Sequence, residues 1–349
     1  MKGPSLDGPF CSCHPRRRFM YAKGACTCGG NMGELSEADL DAILAGDPEQ
    51  LEVHLTVVEK GIPISGSETR VNCHCLTVDA NGRVKIARLV EYLRLVLTDY
   101  AIPRSKIAQA KQRDLDRNST VAVNALLFEA KALFTDLETT GEGGEMLLYV
   151  LAQHFLKLPQ VLCKMDLKTD SRMHYHGADG VYAGISQDGV LKLYWGESKV
   201  YANPAQAVRE CLRSLAPYLI DEDSEHSARE RDLVLLSDKA DLSDPGITRA
   251  FRKYFDKSSP LSNRVIYCGI ALAGFDVDFY PAGNATTLAQ TIADSAKAEL
   301  EAWVEQAAKH VVASKIQNFE IELLCVPLPS VEAFRSLFLK ALGVDNASE

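Results

Sequence analysis

The sequence of 349 residues has no long apolar run, no excess of basic residues and few cysteines. No apolar stretch approaches the roughly 20 residues that a membrane-spanning helix needs, so we expect no membrane segment. The 38 basic residues against 47 acidic ones give a net charge of −9, which argues against an overall basic surface for nucleic acid but permits a local basic groove. Ten cysteines are too few for a disulfide scaffold, so we infer a reducing, cytoplasmic location.

Residues 1–33 are rich in Gly, Pro, Cys and Arg and show no periodicity. They predict either a disordered tail or an extension upstream of a true start at Met20 or Met32. Their cysteines and one histidine could instead bind zinc, although the Cys-x-Cys spacing differs from the Cys-x2-Cys that is usual in zinc knuckles. These candidate zinc ligands are Cys11, Cys13, His14, Cys26 and Cys28.

The segment 34–118 predicts an N-terminal α+β domain. It contains two strand patterns, near Leu51–Val58 and Arg70–Val78, and helical apolar spacing over Val84–Tyr100. Cys73-His74-Cys75 lies in the second strand, where adjacent side chains point to opposite faces, so it predicts strand packing rather than a metal site. Because the segment has neither a DNA-binding motif nor a charge excess, we expect it to dock a partner protein.

The segment 119–349 predicts an α/β domain with a mixed sheet covered by helices on both faces. Its elements are predicted in the order helix, three strands, helix, strand, helix, strand, helix. The predicted ranges are a helix at 120–136 broken at 141–144, a helix at 145–156, strands near 161–166, 177–186 and 190–201, a helix at 204–219, a charged loop or surface helix at 221–232, a short strand at 233–236, strands at 264–273 and 319–326, and helices at 288–312 and 331–342.

A β-hairpin is predicted around Gln187-Asp188-Gly189. A three-residue loop, with its glycine in the left-handed region, would pair Ser186 with Val190. A two-residue Asp188-Gly189 turn would instead pair Gln187 with Val190. We expect the three-residue loop, because register follows the hydrophobic pattern and only this loop aligns the apolar residues of both strands. The expected pairs are Val181 with Trp195, Ala183 with Leu193, Ile185 with Leu191, and Asp179 with Glu197.

Three charged residues lie on the strand faces that are otherwise apolar: Asp179, Glu197 and Lys199. Charges on a core-facing stripe are costly unless something pairs with them. Two carboxylates suit Mg²⁺ or Mn²⁺, and an ammonium two residues away could orient or deprotonate an attacking water or stabilise a phosphate. The three residues therefore predict the catalytic set of a metal-assisted phosphodiester hydrolase. The alternative is a structural carboxylate–lysine cluster at a strand end.

Asp179 and the Gly196-Glu197-Ser198-Lys199 element, with the preceding helix, resemble the PD-(D/E)xK nuclease fold, although Ala178 stands where that family has proline. Together with Leu97–Arg104 and Gly141–Tyr149, this element also resembles the HamA family, the nuclease subunit of the Hachiman anti-phage defence system. The resemblance runs from about residue 50 to the C-terminus. It implies a DNA nuclease that a superfamily 2 helicase, HamB, restrains until activation, after which DNA is degraded broadly.

The same resemblance adds candidates to the site. In similar nucleases a helical Glu completes the metal site, a role that Glu145 could fill, although an acidic residue is also favoured in a first helical turn by the helix dipole. Gln206 lies at the start of the helix after Lys199 and is either a substrate contact or a surface residue. RecB-like nucleases carry a Gln followed four residues later by Tyr, but here that later position is Glu210. His174 and His176 share one strand face and either support the site, bind zinc, or are ordinary core or surface residues.

Three functions compete. The first is a Mg²⁺-dependent DNA nuclease in a defence complex, and the complete set of Asp, Glu and Lys favours it. The second is a nuclease-like module with an idle site that docks a helicase or DNA. The third is a stand-alone restriction or junction-resolving nuclease, which would be expected to carry a specificity domain or a basic surface that the sequence does not show.

Overall fold

The computed structural model describes residues 34–134, 141–165, 177–220, 227–283 and 285–343, and within these ranges seven strands form one mixed sheet. The strands are β1 (Leu55–Pro63), β2 (Thr69–Leu76), β3 (Gln160–Leu162), β4 (Gly180–Ile185), β5 (Leu191–Val200), β6 (Val265–Asp276) and β7 (Ile321–Leu328). Their order across the sheet is β1-β2-β7-β6-β5-β4-β3. The four central strands are parallel to one another, and the outer pairs are antiparallel. The predicted class, a mixed sheet flanked by helices as in nucleases of this type, is confirmed.

Helices cover both faces of this sheet. They are α1 (Glu37–Asp41), α2 (Pro48–Glu52), α3 (Ile86–Leu95), α4 (Leu97–Ala101), α5 (Arg104–Arg117), α6 (Val121–Ala132), α7 (Glu142–Val150), α8 (Pro204–Leu219), α9 (Ala228–Lys239), α10 (Pro245–Arg252), α11 (Ala289–Ala313) and α12 (Val331–Leu342). A π-helical turn, Leu151–Phe155, follows α7, and short 3-10 turns follow α10. On β5, Trp195 stacks on Tyr218 of α8, whereas the neighbouring Gly196 faces α7, so these two helices lie on opposite faces.

Two helices have the predicted ends because their capping residues are explicit in the sequence. Asn203 caps α8 by accepting a hydrogen bond from the Gln206 backbone N at 2.9 Å, and Pro204 takes the first helical position, where no N–H is needed. Ser330 caps α12 in the same way, and Gly343 ends it with a φ of 84°. The predicted helices at 204–219 and 331–342 have these bounds in the structure.

The hairpin β4–β5 has the predicted register. The Ser186 backbone N donates to the Val190 carbonyl at 2.8 Å, and Gly189 has a φ of 73°, as a three-residue loop requires. The ladder contains the three expected apolar pairs, Val181 with Trp195, Ala183 with Leu193 and Ile185 with Leu191. Hydrophobic alternation and one turn glycine were therefore sufficient to predict this register.

Two local predictions are wrong. The glycines at 143 and 144 do not break a helix but lie in the first turn of α7, because α7 packs closely there: a Cβ on Gly144 would come within 2.9 Å of Val200 Cγ2. The predicted strand at 233–236 belongs to α9, which begins after Ser227 caps the Glu230 backbone N at 3.1 Å. A capping serine outweighed the β propensity of a short apolar run.

The predicted N-terminal domain shares its sheet with the rest of the chain. β1 and β2 come from the segment 34–118, and β2 pairs in parallel with β7 from Thr69–Ile321 to Cys73–Cys325. The described residues from Leu35 to Gly343 belong to one compact unit. Cys73, His74 and Cys75 lie in β2 as predicted, and all three are buried.

Several predictions fall on residues that the structure does not describe. The alternatives for residues 1–33, including the zinc ligands, lie outside the described residues. The same is true of His174, of His176 and of residues 221–226, the first half of the charged run. Among the helices that are described, none has the length and apolar character to cross a bilayer. The six cysteines in the described ranges are free thiols.

Asp232 on α9 forms a buried ion pair with Lys164, with 2.7 Å between Nζ and Oδ2 and with only 9% and 1% of the two side chains exposed. We expect Asp232→Ala to lower the free energy of unfolding by about 3 kcal/mol, because it removes the carboxylate that balances a buried ammonium. Urea unfolding measures this change. Asp238→Ala removes an exposed carboxylate from the same helix and should change stability by less than about 0.5 kcal/mol. Equal effects of the two substitutions would contradict the prediction.

Candidate active site

A cavity of about 540 Å³ lies where the first turn of α7, the end of β5 and α12 meet. Glu145, Asp179 and Lys199 line it, so the structure brings three of the four predicted charged residues to one cavity wall. Glu197, the fourth, is 4% exposed and is joined to this wall through Lys199.

Asp179 is fixed at the edge of β5 by its own side chain. The regular ladder ends at the pair Gly180–Gly196, and the Asp179 backbone N donates to the Gly196 carbonyl at 2.9 Å. Its Oδ2 accepts hydrogen bonds from Ser198 N at 2.7 Å and from Ser198 Oγ at 2.8 Å. The expected pairing of Asp179 with Glu197 is therefore not part of the ladder, because the Asp179 carboxylate occupies the N–H of the residue beyond Glu197. These two hydrogen bonds hold Oδ2 and fix the position of the carboxylate beside the cavity.

Glu197 and Lys199 lie two residues apart on one face of β5, and Lys199 Nζ is 3.2 Å from Glu197 Oε2. Burial and the nearby Asp179 charge raise the pKa of Glu197 to about 8, and the Lys199 and Lys164 charges offset only part of this rise. Burial alone would lower the pKa of Lys199, but the Asp179 and Glu197 carboxylates outweigh it and raise that pKa. Lys199 is therefore a protonated ammonium that is paired with Glu197.

Glu145 is held by a tyrosine that the sequence analysis did not single out. The Tyr100 hydroxyl, on α4, donates a hydrogen bond to Glu145 Oε2 at 2.8 Å. Tyr100 is 2% exposed, and its burial, together with the Glu145 charge, raises the pKa of its hydroxyl well above the ordinary value, so it stays a donor. The signal was present in the sequence, since Tyr100 belongs to the Leu97–Arg104 motif.

A family model for HamA matches residues 52–342, from the last residue of α2 to the last residue of α12. The chain belongs to the HamA family. The match includes all seven strands and the four charged residues at the cavity, and it confirms the resemblance to HamA of the Hachiman system. No curated protein sequence matches the chain.

One predicted site residue of this HamA-family chain lies away from the cavity. Gln206 lies in the first turn of α8 and does not line the cavity with Lys199 and Glu145. Two other residues that the sequence analysis missed do take part: Ser198, which binds the Asp179 carboxylate, and Arg335 of α12, which lines the cavity. Nothing in the local sequence pattern around Arg335 marks it, because α12 is more than a hundred residues away along the chain.

The carboxylates of the HamA cavity fit Mg²⁺ or Mn²⁺ by their donor chemistry. In the described ranges, no group of three or more His, Cys, Asp or Glu side chains is arranged to hold a metal. Mg²⁺, however, is commonly bound by one or two carboxylates, with waters and substrate phosphates as its other ligands. Burial and the nearby Asp179 charge raise the pKa of Glu197, and a bound cation would favour its ionised form. Asp179 and Glu145, which line the cavity, are suitable oxygen ligands, and Glu197 would join them from its buried position beside Lys199.

Proposed function

We propose that this HamA-family chain is a Mg²⁺-dependent nuclease that hydrolyses phosphodiester bonds in DNA as the effector of a Hachiman defence complex. Membership of the family supports the defence role. One observation supports the chemistry: Asp179, Lys199 and Glu145 line a single cavity, with Glu197 paired to Lys199 beneath it. Mn²⁺ should replace Mg²⁺, because both cations prefer carboxylate oxygens.

Each residue has a role that its surroundings support. Asp179, Glu197 and Glu145 would hold the metal, which when bound supplies a Lewis acid and lowers the pKa of a coordinated water. Ser198 keeps the Asp179 carboxylate in place through two hydrogen bonds. Because the pKa of Lys199 is raised, its ammonium is suited to orienting a water and to stabilising negative charge on a phosphate rather than to removing a proton.

We also propose that a HamB-like superfamily 2 helicase is the partner and restrains the nuclease until activation. Plasmid degradation tests this role when the chain is assayed alone, with the helicase, and with the helicase plus ATP and damaged or invading-type DNA. We expect the helicase to suppress degradation and the trigger to release it. Degradation that is equally fast with and without the helicase would contradict the restraint but not the nuclease activity.

The alternative is an idle nuclease-like module that docks a helicase or DNA. It predicts that no metal restores cleavage to the purified chain or its complex under any condition. The retention of all three of Asp179, Glu197 and Lys199 supports an active site instead, because a site that has lost its chemistry is free to lose a member.

Tyr100→Phe tests the support of Glu145. We expect it to weaken Mn²⁺ binding about tenfold, because residues that orient metal ligands typically contribute that much. Isothermal titration with Mn²⁺ alone measures the effect without reference to activity. Tyr149→Phe on α7 is the matched control, since its buried hydroxyl has no hydrogen-bond partner within the described structure. Unchanged Mn²⁺ affinity in Tyr100→Phe would remove Glu145 from the proposed metal ligands.

A further inference from the structure

The cavity contains a cation that the proposed chemistry does not use. Arg335, on α12, lines the cavity together with Lys199 and the carboxylates, and it is half-buried. One of its Nη2 hydrogens is donated to the carbonyl of Val200, the residue that follows Lys199 on β5. A guanidinium has five N–H donors, so this bond leaves most of them available.

Arg335 and Lys199 differ in whether a carboxylate of the described chain is paired with them. Lys199 forms an ion pair with Glu197, whereas no carboxylate of the described chain forms one with Arg335. An arginine that lines a cavity without an acidic partner is suited to an anionic ligand. Its planar fork of donors matches phosphate oxygens in particular.

The position of Arg335 relative to the carboxylates sets which phosphate it can reach. A phosphate undergoing hydrolysis would lie at Asp179 and Lys199, and each DNA strand carries one negative charge per 3.4 Å along the helix axis. A strand crossing the cavity therefore brings a second phosphate close to the reacting one. Because Arg335 is bonded to the residue next to Lys199, its distance from the reacting position is fixed by the end of β5.

We propose that Arg335 binds a phosphate of the DNA strand adjacent to the one that is cut, and so sets the register of the strand in the site. This inference rests on the proposed nuclease function. It assigns Arg335 to substrate binding rather than to bond cleavage, and it makes the substrate a polynucleotide rather than a free phosphate, which has no second anionic group for Arg335 to bind.

DNA binding by the full chain tests the proposal. Glu197→Gln serves as the parent protein because it prevents cleavage during the measurement. Arg335→Gln and Arg335→Lys are compared in this parent by fluorescence anisotropy, with a labelled oligonucleotide over a range of salt concentrations. Lys340→Gln is the matched control, since Lys340 lies exposed on the same helix, outside the cavity, and the substitution removes the same charge.

We expect Arg335→Gln to reduce the slope of log K against log salt concentration by about 0.9 for a duplex or about 0.7 for a single strand, which corresponds to one lost phosphate contact. Arg335→Lys should keep the slope, because it keeps the charge. Lys340→Gln should also keep it. In the cleaving protein, Arg335→Gln should raise KM roughly tenfold and leave kcat within about twofold, as the loss of a contact made equally in ground and transition states requires.

Three results would overturn the proposal. If Arg335→Gln keeps the parent slope and only lowers the melting temperature, Arg335 merely ties α12 to β5. If the slope is unchanged while the wild-type chain cleaves DNA, the inference fails and the proposed function stands. If the wild-type chain cleaves no DNA and the parent protein binds none at any salt concentration, both the role of Arg335 and the proposed nuclease function are rejected.

Discussion

Glu197→Ala and Lys199→Ala should each lower the rate of DNA cleavage by roughly 10³-fold, the scale expected when one preorganised charged group is lost from a reacting centre. Glu197 is a proposed metal ligand and the ion-pair partner of Lys199, at 3.2 Å. Lys199 supplies a positive charge that faces the cavity beside Asp179. A plasmid-cleavage assay measures the loss, and circular dichroism with thermal unfolding shows that the fold is retained.

The isosteric variants Glu197→Gln and Lys199→Met make this test sharper, because they keep the side-chain volume of a buried strand. Lys192→Met is the matched control. Lys192 lies on the same strand and also forms an ion pair, with Glu320 at 2.6 Å, but it does not line the cavity. We expect the control to cleave at the wild-type rate. Cleavage at the wild-type rate by a folded Glu197 or Lys199 variant would reject the assignment of the site.

Removal of divalent metal should stop cleavage completely. The carboxylates at the cavity carry the oxygen atoms that Mg²⁺ prefers, and a cation would favour the ionised form of Glu197, whose pKa is raised by burial and by the Asp179 charge. We expect excess EDTA to reduce the cleavage rate below detection and either Mg²⁺ or Mn²⁺ in excess over EDTA to restore it. Plasmid cleavage by the dialysed protein, with each cation titrated back, measures both effects.

The fold provides the control for metal removal. The sheet and its helices are held by an apolar core that runs through all seven strands, so the protein should stay folded in EDTA. A fluorescence unfolding curve in EDTA that matches the curve in Mg²⁺ to within the stabilisation expected from ligand binding would show this. Cleavage that continues undiminished in EDTA would mean that the carboxylates act without a metal.

The predicted parts of the fold are those whose signals are local. The register of β4 and β5 follows from apolar alternation and from Gly189, and the start of α8 follows from Pro204. One part of the candidate site could be predicted in the same way. Glu197 and Lys199 are two residues apart, and side chains two apart on a strand lie on the same face.

The parts that could not be predicted depend on contacts between distant segments. β2 joins the sheet by pairing with β7, and Thr69 and Ile321 have no shared sequence signal. α7 begins at Glu142, where Gly143 packs against α12 and Gly144 against β5, and no helix-start signal in the sequence marks this position. Residues 233–236 lie in α9 rather than in a strand. A short apolar run can be helix or strand by periodicity alone, and here the capping Ser227 and packing favour the helix.

The sequence by itself determined the hairpin, the pattern of three ionisable residues on it and the resemblance to the HamA family, because each can be recognised from short stretches of sequence without knowing how they contact one another. Only the tertiary structure decided that Tyr100 supports Glu145, that Ser198 rather than a ladder pair holds Asp179, and that Arg335 lines the same cavity. The physical reason is that hydrogen bonds and burial act through space, whereas periodicity records only which face of its own element a residue occupies.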